Sequence, residues 1–182
     1  MGDSRHEGPP MPMSFHDVPP ESPFALLDAD EKRAWYAYMK VQLRLRYEMN
    51  RQLRDESGLS LADYDVLVAL TSADGETMTV SDIAIRIGAE RSRVSHQVRR
   101  LTDESLLATS PNVDDRRITD VTLTPNGREL LLQVSPGHID FVRAVFFEAM
   151  EPEQRAVVAE VFESVYERLI ERGTLPRPAD HP

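Results

Sequence analysis

With 182 residues and 41% hydrophobic content, the chain is long enough for one domain with a real core and tails. Cysteine is absent, which excludes disulfides, thiolate metal sites and cysteine nucleophiles. A net charge of −10 argues against diffuse binding to polyanions, and no run of about 18 apolar residues is present that could cross a membrane. The first residues, MGDSRHEGPPMPMS, show no basic segment followed by an apolar stretch, so a cytoplasmic location is expected.

Residues 1–30 carry Pro9, Pro10, Pro12, Pro19, Pro20 and Pro23 with little periodicity and read as a proline-rich N-terminal extension, partly disordered. Phe15, Val18, Phe24, Leu26 and Leu27 within it could still pack onto a partner surface. A helix is expected over about 31–55, capped by Asp28 or Asp30, because Trp35, Met39, Leu43 and Tyr47 recur every four residues. Tyr36, Tyr38, Val41 and Leu45 make it apolar on a second side, as suits a helix with two partners, one of them in another subunit. Gly58 then ends the approach, Ser60 is a good N-cap, and Leu61, Tyr64, Leu67, Val68 and Leu70 mark a second helix to about Ser72. Asp74-Gly75 reads as a turn and Thr77 to Thr79 as a short strand.

The stretch from Thr79 to Thr124 combines two short helices, an arginine cluster and a hairpin. Val80, Ile83, Ala84 and Ile87 fall at helical spacing, and Gly88 can supply the positive φ that ends a helix. On the next helix Val94, Val98 and Leu101 would face the core, which turns Ser92, His96 and Arg99 outward with Arg93, Ser95 and Arg100 beside them. Leu106 to Ser110 and Ile118 to Leu123 flank PNVDDRR as a hairpin with a charged tip. Thr124-Pro125 opens a long helix to about Met150, which Pro136-Gly137 should kink or break. Glu151-Pro152 opens the last helix, striped by Val158, Val161, Phe162, Val165, Leu169 and Ile170 and stopped by Gly173, leaving residues 173–182 as a flexible tail.

The fold class expected is therefore mainly α with a small β wing: a winged helix-turn-helix head at about 59–124 and a helical dimerisation domain from about 31–55 and 125–172. From Arg86 to Arg117 seven arginines face five acids, or +2, leaving −12 for the rest. A basic face on an acidic body favours one docking orientation on DNA.

These residues resemble the MarR (multiple antibiotic resistance regulator) family of winged-helix transcription regulators. The likeness covers about 31–172 and rests on LSLADYDVLVAL (59–70), DIAIRIGAERSRVSHQVRRL (82–101), and Asp115-Arg116-Arg117 followed by Leu123-Thr124-Pro125-Asn126-Gly127. It implies an obligate homodimer whose first and last helices interlock. It further implies a palindromic double-stranded operator, read by recognition helices in successive major grooves with wing tips in the minor grooves. On this likeness Ser92, Arg93, Ser95, His96, Arg99, Arg100 and Arg117 are the expected DNA-binding residues, with Asp115 supporting the wing arginine. Glu90 stands where many members have a capping serine, and Asp114 adds a second acid at the tip.

Arg117 fits a minor groove or a surface ion pair with Asp114 or Asp115, Arg99 a guanine or a phosphate, and His96 a DNA contact or plain solvation. The family's effector crevice directs attention to Trp35, Tyr36, Met39, Tyr64 and His138, whose aromatics and polar tips suit a small aromatic or phenolic acid; their alternative role is dimer core. Neighbouring Ser95 and His96 point about 100° apart and cannot form a nucleophile pair. His138 with Asp140 is an incomplete metal site, and single glycines give no phosphate loop, so no catalytic residue, metal or cofactor is expected and the chain is not read as an enzyme. The expected function is a DNA-binding repressor released by a small-molecule effector. The alternative is a winged-helix protein-interaction or antirepressor module that does not read DNA.

Overall fold

The computed structural model describes residues 21–179. Phe15 and Val18 of the extension lie outside these residues. The chain divides within its first helix, between Arg46 and Tyr47, into two units that are taken separately.

In the N-terminal unit, Ser22 caps a single 3-10 turn at Pro23–Leu26, its hydroxyl accepting from the Phe24 amide at 3.3 Å. Helix α1 spans Ala29–Ser57. Asp28 and Glu31 open it with a reciprocal capping box: the Glu31 amide donates to Asp28 Oδ1 at 2.8 Å and the Asp28 amide to Glu31 Oε2 at 3.0 Å. Phe24 meets Tyr36 edge to face at 6.4 Å, Trp35 lies 5.5 Å from Tyr38, and Lys40 sits over the Tyr36 ring. Trp35, Tyr36, Tyr38, Val41 and Leu43 nevertheless stay about half exposed or more.

The second unit is built around α2, Leu61–Thr71, which buries seven of its residues and is apolar on nearly every side. Ser60 and Asp63 form its capping box. A turn through Gly75, at φ 60°, leads to strand β1, Thr77–Thr79, then α3, Val80–Arg86, and α4, Arg91–Asp103. Strands β2, Leu107–Pro111, and β3, Thr119–Leu123, complete a three-stranded antiparallel sheet in the order β1-β3-β2. Register places Met78 and Thr109 on either side of Val121. Pro111 is tolerated because β2 is an edge strand. Leu53, Leu67, Leu70, Ile83, Val94, Leu101 and Val121 are fully buried in one cluster joining α2, α3, α4 and the sheet to the end of α1.

Helix α5 runs without interruption from Pro125 to Val142. Of the kink or break expected at Pro136, the break does not occur. The carbonyl that loses its donor there belongs to Leu132, which is exposed, so water can take the place of the missing N–H. The irregularity lies further on, as a π-helical turn over Arg143–Phe147. Helix α6, Pro152–Arg172, buries none of its residues, and Val157, Val161, Phe162, Val165 and Leu169 all stay about half exposed or more. Past Gly173 the chain folds back: Arg177 donates to Glu167 at 2.9 Å, and the bond holds the Glu167 carboxyl below its ordinary range. No helix among the described residues is long and apolar enough to cross a membrane.

Candidate nucleic-acid interface

Two turns aim α4. At the end of α3 the Ala89 amide donates to the Ala84 carbonyl at 2.9 Å and Gly88 to Ile85 at 3.3 Å, with Gly88 at φ 63°, a Schellman stop that only a left-handed residue allows. The same pattern ends α4, where Leu106 donates to Leu101 and Ser105 to Thr102, with Ser105 at φ 61° in the position glycine usually fills. Val94, Val98 and Leu101 bolt α4 to the core. Its other side is left to solvent, with Ser92, Arg93, His96 and Arg99 exposed and Ser95 half-buried, its hydroxyl donating back to the Arg91 carbonyl at 3.0 Å. Glu90 precedes the helix without a side-chain cap.

The arginines do not all serve this outer face. The side chains of Arg93, Arg99 and Arg116 make no hydrogen bond or ion pair with the described residues. Arg86 instead donates to the Ala69 carbonyl at 2.7 Å and to Ser72 Oγ at 3.0 Å, closing the end of α2. Arg100, expected among the DNA-facing residues, departs from that group. Its guanidinium turns to Asp63 and donates to Glu104 at 3.1 Å. The reason is Asp63, a carboxylate only 1% exposed, which needs a cation once Ser60 has taken its other oxygen.

The wing tip is tied from within. Asn112 Nδ2 donates to the Asp120 carboxylate at 2.9 and 3.1 Å, while Asn112 Oδ1 accepts from the Asp114 and Asp115 amides at 3.0 and 3.2 Å. The loop closes by Asn112 N–H to Ile118 at 3.0 Å and Ile118 N–H to Asp115 at 2.9 Å. Arg117, 90% exposed, is gripped by Asp115 through its Nε at 3.0 Å, its Nη2 at 2.8 Å and its own amide at 3.0 Å. Those bonds, from the side chain first and then the backbone, hold the Asp115 carboxyl below its ordinary value and raise the guanidinium's. Asn112 and Asp120 were not marked by sequence reasoning. Asn112 reads as a turn residue in the chain, but its partner eight residues on appears only once the hairpin forms.

Of the residues considered for an effector, Tyr64 and His138 are brought together, with ring centroids 4.6 Å apart. Tyr64 Oη lies 3.2 Å from Ser135 Oγ, and His138 Nδ1 lies 2.8 Å from Gln52 Oε1, whose amide in turn donates to Glu56 at 2.5 Å. Burial pushes the His138 imidazole below its ordinary pKa, against the opposing pull of Glu56. Trp35, Tyr36 and Met39 belong to the N-terminal unit. None of the five lines the groove of about 320 Å³ bounded by Glu76, Leu123, Pro125, Arg128, Glu129 and Leu132, where Arg128 pairs with Glu76.

Comparison with known proteins gives a consistent picture. The family model described as MarR family matches residues 57–118. YfiV, an uncharacterized HTH-type transcriptional regulator of Bacillus subtilis, is 28% identical over 150 residues, 81% of this chain and 89% of its own. Among solved structures, AbsC, a MarR family transcriptional regulator from Streptomyces coelicolor, is 29% identical with a TM-score of 0.74, over 80% of this chain and 98% of its own. Sco3205, a MarR family regulator from the same organism solved in complex with DNA, is 29% identical with a TM-score of 0.76, over 84% of this chain and 94% of its own. A helix seated by Schellman turns, a hairpin wing and relatives matched over most of their length agree: residues 57–118 match the MarR family, and the chain as a whole is similar to MarR family winged-helix transcriptional regulators.

Proposed function

We propose that the chain is a homodimeric, sequence-specific repressor that binds a palindromic double-stranded operator in the cytoplasm. The observation that carries this reading is the exposed face of α4, where Ser92, Arg93, His96 and Arg99 stand together while Arg86 and Arg100 are spent on internal bonds. A helix of 13 residues, fixed to the core by one side and open on the other, suits a major groove. Arg99 and His96 then contact base edges or phosphates, Arg93 and Ser92 the backbone, and Arg117 enters the flanking minor groove with Asp115 holding its guanidinium in place.

A second copy of this chain is the partner that α6 calls for. Val157, Val161 and Val165 recur every four residues with Phe162 and Leu169 beside them, and the unit that carries α6 buries none of them. Pairing two heads allows recognition helices to meet half-sites about 34–36 Å apart, which one head cannot do. The domain boundaries follow: a head at about 59–124 between helical dimerisation segments. The Tyr64–His138 pair, with Gln52 and Ser135 as polar tips, supports a site for a small aromatic or phenolic acid that would favour a head spacing unable to meet both half-sites.

Fluorescence anisotropy with a duplex from the promoter region of its own gene tests the reading. Four arginines per head (Arg93, Arg99, Arg116 and Arg117) and two heads give about eight phosphate neutralisations, so log K should fall against log salt with a slope of about −7. Arg99→Ala with Arg117→Ala should flatten that slope and weaken binding strongly. Absence of binding at low salt, or binding indifferent to the double variant, overturns the reading. Sedimentation of the wild type and of Val161→Glu with Val165→Glu, expected as dimer and monomer, tests the partner.

A further inference from the structure

We propose that Val113, at the apex of the wing, is a specificity-determining residue that selects A·T over G·C base pairs in the minor groove. This rests on the DNA-binding reading above and deepens it. Val113 is 94% exposed, a β-branched apolar side chain standing almost wholly in solvent. A hairpin tip is where asparagine, aspartate and glycine are at home, and valine contributes nothing to the turn itself. The turn is made by its neighbours. Asn112, immediately before it, bonds the Asp120 carboxylate with one end of its amide and accepts the Asp114 and Asp115 amides with the other. The apex is therefore fixed by bonds that do not involve the valine side chain, and its presentation costs little further entropy.

The same loop carries Arg117, braced by Asp115, so an apolar and a cationic group are offered by one rigid tip whose closing bond joins Asn112 to Ile118. The minor groove matches that combination. Its negative potential draws the guanidinium, and its sugar walls are apolar. Its floor differs between base pairs in one respect only: guanine places an N2 amino donor there, and A·T pairs place none. A valine can neither accept a hydrogen bond from that amino group nor leave room for a water that would. G·C beneath the apex therefore leaves a donor unsatisfied, and A·T does not.

The test uses the full-length protein and three duplexes built on the promoter region of its own gene, with the base pairs that hydroxyl-radical footprinting places under the wings made A·T, G·C or I·C. Inosine keeps the guanine major-groove edge and lacks the N2 amino group. Wild type should bind the A·T and I·C duplexes about five- to tenfold more tightly than the G·C duplex, the cost of roughly one disfavoured pair. Val113→Thr, close in shape and able to accept from N2, should reduce that ratio toward one while its affinity for the A·T duplex stays within about twofold. Both outcomes support the proposal. An equal ratio for wild type and Val113→Thr, or I·C behaving as G·C, overturns it while leaving the DNA-binding reading intact. Failure of wild type to bind any of the duplexes overturns both.

Discussion

Arg99 and Arg100 are consecutive on α4, yet truncating each should damage a different property. One helical step of about 100° separates their directions. It leaves Arg99 among the exposed residues and brings Arg100 to Asp63 on α2. In Arg100→Ala, the Asp63 carboxylate, 1% exposed, keeps the Ser60 amide at 2.9 Å and the Ser60 hydroxyl at 2.5 Å but loses its only cationic partner among the described residues. Removing one member of a buried ion pair costs about 3–5 kcal/mol. Here the arginine side chain is 46% exposed, so water already screens part of the attraction, and its second bond, to Glu104, is a surface pair of small worth; the expected loss is about 2–3 kcal/mol. In urea, where the slope is about 1–3 kcal/mol per molar, the unfolding midpoint should drop by roughly 1 M at fixed protomer concentration. Arg99→Ala should leave the unfolding free energy within about 0.5 kcal/mol of wild type and weaken DNA binding instead. A cycle with Asp63→Ala isolates the pair, because the loss of the Ser60 capping box enters both arms and cancels. An unchanged midpoint in Arg100→Ala, or strict additivity in the cycle, would refute the pairing of Arg100 with Asp63.

Three further outcomes follow from the same geometry. Ser105→Gly should raise stability by about 1 kcal/mol, since Ser105 holds φ 61° with an exposed side chain, and the Thr124 hydroxyl bond it receives at 2.8 Å is to its carbonyl, which glycine retains; an unchanged melting temperature would count against strain there. Gly127→Ala should destabilise by about 2–3 kcal/mol or more, because a Cβ would strike the Leu106 carbonyl and come within 2.8 Å of Leu123, and that carbonyl is held by the Thr124 amide and hydroxyl; near-wild-type melting would show that α5 can shift. His138, kept neutral by burial, binds fewer protons folded than unfolded, so its contribution is complete above the ordinary value of 6.5, falls as pH drops below it, and levels off beneath the lowered folded value. Urea midpoints of wild type should therefore decline more than those of His138→Asn between about pH 7.5 and pH 5.5, and parallel declines would remove His138 as the source.

Periodicity and caps made most of the fold legible. Ser60, Thr79 and Thr124 each accept the backbone N–H three residues on, and Gly88 ends α3 at positive φ as its type suggests. These are local signals, decided within a few residues. Pro136, read as kinking or breaking α5, does not end it: the rule that proline breaks a helix assumes that the orphaned carbonyl has nowhere to turn, and Leu132 is exposed. The pairing of Arg100 with Asp63 could not be read because the two lie 37 residues apart and nothing in either neighbourhood names the other. Val113 was legible only as one residue of a charged tip; its exposure depends on how Asn112 folds the loop.

The acids set among the head's arginines carry the wrong sign for a negatively charged ligand, but their positions divide the labour. Asp63 is buried and ties α4 to α2 through Arg100, so its charge is met by a cation before any ligand arrives. Asp115 is at the surface, where its three bonds from Arg117 restrict a side chain that would otherwise lose much rotamer freedom on entering a groove. Bracing weakens the net charge of the tip and sharpens its direction. On a chain carrying −12 outside residues 86–117, direction is the scarcer quality: in the proposed dimer the acidic surface would already repel misaligned DNA, and what remains to be supplied is a pair of cationic tips held where a minor groove would pass. Asp115→Ala should accordingly reduce affinity for the operator although it removes a negative charge, and tighter binding in that variant would show that charge outweighs aim.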